Sequence, residues 1–125
     1  TMIAGDSTLR MIKNKGNALY ERLNMLGSKT RKMLDKKFAG DVSTTGIGSL
    51  FLTHFLKGKI SEIKNAADAA KCNTKKLQDY HFHMIANNKI FFLPGKLGAF
   101  SDVHTKSDIT AIMKSTDDFL TKFKK

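Results

Sequence analysis

The chain has no tryptophan, one proline and one cysteine, and no long run of apolar residues; each shortage closes off a class of protein. A lone cysteine, Cys72, cannot form an internal disulfide, which points to a reducing compartment and argues against a disulfide-stapled secreted domain. No stretch approaches the roughly 18 apolar residues of a membrane helix, and the first residues lack a signal-peptide layout. A cytoplasmic chain with no membrane partner is the expectation. Tyrosine is also scarce, two against nine phenylalanines, so most of the aromatic content has no polar handle and suits a core better than a hydrogen-bonding surface.

What is present is basic and moderately apolar. Across 125 residues, 41% are hydrophobic, enough for one core and too few for two, so a single domain over residues 1–125 is expected. Twenty-two Lys and Arg against eleven Asp and Glu give a formal net charge of +11. Such a charge attracts nucleic acid when it gathers on one face. Here the cations are scattered and lysine far outnumbers arginine, the residue suited to bidentate readout. Nucleic acid is therefore a disfavoured partner, kept only as the alternative of a basic α+β binding module. The opening Thr1-Met2-Ile3-Ala4-Gly5, with methionine second, leads us to expect a piece cut from a longer chain.

Apolar residues at Leu9, Ile12, Leu19, Leu23, Leu26, Met33 and Leu34 mark one face of a long helix from Met2 to Phe38. Gly16 and Gly27 weaken it by roughly 1 kcal/mol each relative to alanine, and a break is expected near Gly27-Ser28. Val42–Leu56 is strand-like, two strands or one bent at Gly46 and Gly48, and those glycines signal a bulge or a close approach of backbone or ligand. Ala66–Ala70 suits a short helical turn. Asn73 is placed to cap a helix carrying Leu77, Tyr80, Met84 and Ile85. Ile90–Leu93 reads as a strand stopped by Pro94-Gly95, and Ala99–Val103 as its hairpin partner. Thr105 with Asp108 resembles a capping box that opens a final helix through Phe123. The expected class is α+β, a small antiparallel sheet of about three strands covered by helices.

No motif completes a catalytic set. His81 and His83, two apart on a helix, point in diverging directions and make a poor metal pair. His104, just before the last helix, suits a cap or packing role better than a site. The segment Gly46-Ile47-Gly48-Ser49-Leu50 lacks the second flanking glycine of a nucleophile elbow and the helix start of a phosphate cradle. Lys96, in a tight turn, would need a dry pocket to serve as a Schiff-base lysine. No catalytic, cofactor-binding or metal-ligating residue is expected within the chain.

Several segments nevertheless resemble one family in order. Thr1-Met2-Ile3-Ala4-Gly5, Leu19-Tyr20-Glu21-Arg22-Leu23 and Leu26-Gly27 are similar to the start of the C-terminal region of class III pyridoxal-phosphate (PLP) aminotransferases. Gly48-Ser49-Leu50-Phe51 with Phe55, Tyr80–Ile85, Ile90–Pro94 and Val103–Ile109 resemble segments of its glutamate-1-semialdehyde 2,1-aminomutase group. The resemblance spans essentially the whole chain. It implies the C-terminal small domain of a fold-type I PLP enzyme, inactive alone. The partners it implies are the large domain of the same polypeptide, a homodimer partner and a small amino substrate. PLP would belong to the full-length protein, held by residues upstream, and the aminomutase reaction would supply tetrapyrrole synthesis. Ser49, Phe51, Lys96 and Leu97 are the candidates this likeness places on the substrate side. The Pro94–Phe100 loop departs from the group, being shorter and without its glutamate, so a different substrate pattern is expected.

Overall fold

The computed structural model describes every residue except Lys59, Lys124 and Lys125. Four helices and three short strands follow one another: α1 (Met2–Lys37), β1 (Val42–Thr45), β2 (Leu50–Phe55), α2 (Ala66–Ala70), α3 (Thr74–Asn88), β3 (Gly98–Ala99) and α4 (Lys106–Phe123). The strands form one antiparallel sheet in the order β1-β2-β3, so the expected α+β class and three-stranded sheet are what the chain adopts.

The long first helix breaks at Gly16, not near Gly27. Gly16 takes φ 55 and ψ −147, a left-handed conformation with little cost for glycine alone. Ahead of it, the apolar side chains Met2, Ile3, Leu9 and Met11 stay exposed; after it, Leu19, Leu26 and Leu34 are buried. Gly27 sits inside a regular, packed turn because the backbone of Gly48 lies against it, leaving no room for a Cβ. The two glycines thus do opposite jobs, one bending the helix and one admitting a neighbour.

That neighbour is the β1–β2 hairpin. Gly46 and Gly48 both take positive φ, and Leu50 N–H closes the turn on Ile47 O at 2.9 Å. From α1, Arg31 Nη1 donates to the carbonyls of Gly48 (3.1 Å) and Leu50 (2.7 Å). Of the two sequence alternatives for these glycines, close backbone approach is the one realised. On β2, Phe51 and Phe55 point inward and meet Leu26, Leu34 and Phe38 of the α1 end, Tyr80 and Met84 of α3, and Ile109, Ile112 and Phe119 of α4 in one core. Phe38, Phe55, Tyr80 and Phe119 pack as edge-to-face or tilted rings with centroids 5.1–6.3 Å apart, an arrangement aromatic quadrupoles favour.

The expected hairpin of Ile90–Leu93 with Ala99–Val103 does not form. At the end of α3, Lys89 turns left-handed, with φ 55, and Ile90 N–H bonds back to Met84 O at 3.1 Å, wrapping the segment round the helix end as such caps do. Phe92 is buried, and Gly95 N–H donates to His81 Nδ1 at 3.1 Å. The backbone is anchored to α3 and Ile90–Leu93 joins no sheet. Downstream, Ser101 N–H is taken by His104 Nδ1 (2.9 Å), so the extended stretch turns early. Only Gly98–Ala99 remains as a strand, and it pairs with Leu50 and Phe51 of β2.

The two caps read from sequence are present. Asn73 Oδ1 accepts from Lys76 N–H at 3.0 Å. At α4, Thr105 N–H and Oγ1–H both donate to Asp108 Oδ2, while Thr105 Oγ1 accepts from Ser107 N–H.

Candidate functional site

The failed hairpin leaves a hollow. Between the segment after α3, strand β3 and the first turns of α4 lies a partly enclosed cavity of about 420 Å³. Its floor is aromatic: Phe51, Phe92 and Phe100, exposed by only 4%, 6% and 5%. Phe51 stacks on Phe100 (5.3 Å, 28°) and meets Phe92 edge-on (5.8 Å, 84°). Gly98 makes this packing possible, since a Cβ there would stand 2.6 Å from both the Phe51 and Phe92 rings. The rim carries three polar side chains, Lys89, His104 and Asp108.

These three differ in how far they are committed. Asp108 is engaged by the Thr105 backbone N–H and hydroxyl, and those bonds hold its carboxyl below the usual aspartate value. His104 Nδ1 accepts from Ser101 N–H, so its neutral ring carries the proton on Nε2, as a donor. Lys89 is exposed and takes part in no ion pair among the described residues.

Of the four substrate-side candidates, only Phe51 reaches the cavity. Ser49 is next to it on the hairpin, its carbonyl accepting from Phe100 N–H at 3.2 Å. Lys96 and Leu97 are exposed on the turn that leads into β3, outside the cavity lining. The pairing of Phe51 with Gly98 brings the two stretches together along one edge of the sheet, without assembling the four side chains into one pocket. Lys89 and Phe92 were not marked by sequence as site residues. Their signal was hidden, because Ile90–Leu93 reads as a strand and the left-handed turn at Lys89 has no glycine to announce it.

His81 and His83 are both buried, against different neighbours. His81 stacks on Phe92 (4.8 Å, 14°) and accepts from the Gly95 backbone; burial lowers its pKa to about 4, against the opposing pull of a hydrogen bond to the Leu93 backbone. His83 lies with Nε2 3.1 Å from Asp118 and Nδ1 3.1 Å from the Asn87 amide. Among the described residues, no group of three or more His, Cys, Asp or Glu side chains is placed to hold a metal.

Comparison with solved structures places this architecture. Over 84% of its length the chain superposes on a β-phenylalanine aminotransferase from Variovorax paradoxus, with TM-score 0.69 and 29% identity. It also matches an ω-transaminase from Sphaerobacter thermophilus over 87% (TM-score 0.68, 19% identity) and a transaminase with PLP bound over 97% (0.65, 20%). The fold is a transaminase fold. The chain spans about a quarter of the length of these proteins, 23%, 25% and 27%. No protein-family model matches the chain, and no curated protein matches it by sequence.

PLP, which one of these neighbours holds, does not fit the residues present here. Its anchoring lysine needs a dry, shaped pocket, whereas no lysine among the described residues is buried. Nor does the Gly46–Gly48 turn cradle a phosphate, since Gly48 is closed off by Gly27 and its carbonyl by Arg31. No described helix is long and apolar enough to cross a membrane.

Proposed function

We propose that the chain is the C-terminal small domain of a class III PLP-dependent aminotransferase, nearest the glutamate-1-semialdehyde 2,1-aminomutase group, working only with a large domain of the same polypeptide. The observation that carries this reading is the match of nearly the whole chain to about a quarter of several transaminases, with no buried lysine among the described residues. The cofactor lysine, the ring-binding and phosphate-binding residues and half of the substrate pocket then belong to the large domain. The complete enzyme is a cytoplasmic homodimer that moves an amino group on a small substrate, with tetrapyrrole precursor synthesis as the role implied by the aminomutase likeness.

Within that assembly Ser49, Phe51, Lys96 and Leu97 form the substrate side of this domain. Lys96 and Leu97 are suited to it by exposure at a turn fixed from behind by His81; Phe51 is buried and acts as support for β3. The other reading, a basic module for nucleic acid, has less behind it. Lys15 and Arg22 are paired with Asp102, and Lys37 with Asp117, which reduces the free positive surface.

The DNA encoding the residues ahead of Thr1 tests the reading directly. A long in-frame upstream segment, whose product binds PLP and transfers an amino group, is the expected finding. A product limited to these 125 residues that functions alone would overturn it.

A further inference from the structure

The cavity between Lys89 and Asp108 lies apart from the substrate-side turn and shares only Phe51 with it. Its volume, about 420 Å³, falls in the roughly 300–1,000 Å³ range of small-molecule sites. Three features decide what it would accept. First, the floor of Phe51, Phe92 and Phe100 is apolar, buried and locked by mutual ring packing, with Phe100 stacked on Phe51 and Phe92 edge-on to it, so it suits a compact apolar or aromatic body.

Second, the two rim groups left without a partner among the described residues are both donors. They are the Lys89 ammonium and the Nε2–H of His104, whose other nitrogen is held by Ser101. Third, the one acid on the rim, Asp108, keeps its negative charge but is held by two bonds accepted from Thr105 at the start of α4. A cation would find Asp108 already bonded to Thr105 and Lys89 on the same rim; an anion would meet two donors without a partner, on a chain of net charge +11.

We propose that this cavity is a binding site for a small carboxylic acid with an aromatic or compact apolar body, its ring on the Phe51–Phe92–Phe100 floor and its carboxylate between Lys89 and His104. The site is complete within this chain and does not depend on the aminotransferase reading.

The test is a titration of the 125-residue chain, followed by backbone amide NMR, with phenylacetate as probe and phenethylamine and acetate as matched probes. Phenylacetate should bind saturably and shift the amides of Ala99, Phe100 and His104. Phenethylamine, with the same ring and the opposite charge, and acetate, with no ring, should bind at least several-fold more weakly. Lys89→Gln, an exposed change that leaves the core alone, should weaken phenylacetate by about tenfold, the usual scale for losing a charged hydrogen bond. Ala111→Leu, at the exposed edge of the cavity, should block it while leaving the spectrum of the free protein folded. Equal or tighter binding of phenethylamine would overturn the proposal. So would shifts confined to other surfaces, or no saturable phenylacetate binding at all.

Discussion

His81 is buried on α3, stacked on Phe92 and accepting the Gly95 N–H at Nδ1; the accepted bond requires the neutral ring and burial favours it. Its pKa is pushed down to about 4, from 6.5 in the unfolded chain. Between those values the unfolded state binds the proton and the folded state does not, so stability falls as pH drops from about 6.5 towards 4. His54, lowered by burial too, adds in the same direction. Urea midpoints measured through this window should decline with acid, and His81→Phe should flatten part of the decline. A pH-independent midpoint would show that the Pro94-Gly95 turn is not held through this ring. Gly27 supplies a second residue-scale expectation. Helix propensity alone makes Gly27→Ala stabilising by roughly 1 kcal/mol. Contact with the Gly48 backbone reverses the sign, and we expect a net loss of about 1–3 kcal/mol, the scale of overpacking. A raised melting temperature for this variant would disprove the close approach of helix and hairpin.

At the scale of elements, periodicity and capping chemistry were legible in the sequence. Asn73 and the Thr105–Asp108 pair sit at the helix starts they announce, because a cap is a local bond between residues a few positions apart. Thr105→Ala should cost about 0.5–2 kcal/mol for that reason, read from the denaturation midpoint; an unchanged midpoint would mean that Asp108 holds the helix start unaided. What could not be read was set by distant partners. Ile90–Leu93 has strand composition, yet Met84 O and His81 secure its ends to α3. Ala99–Val103 alternates like a strand, yet the His104 ring captures Ser101 N–H and ends it. Helix α1 breaks at Gly16 rather than Gly27 since only Gly27 has a neighbour that needs it helical and small. The candidate site suffered most from this. A cavity made by a hairpin that fails to zip has no sequence motif, so His104 reads from sequence as a cap or packing residue rather than a site, and nothing local marks Lys89 or Phe92.

For the molecule as a whole, one core holds strands β1 and β2 and the α1, α3 and α4 helices together, and the result is a transaminase fold spanning about a quarter of the proteins it superposes on. The surface lysines, the hairpin closed by Arg31 and the cavity lined by phenylalanine offer no seat for PLP. On the proposed reading, cofactor chemistry comes from residues outside this chain. Incubating the 125-residue chain with PLP, reducing with borohydride and locating the modified lysines by mass spectrometry tests it most directly. We expect low labelling spread over the exposed lysines, with no amino transfer from an amine donor. Stoichiometric labelling of one lysine, accompanied by turnover, would show that the chain carries a cofactor site of its own.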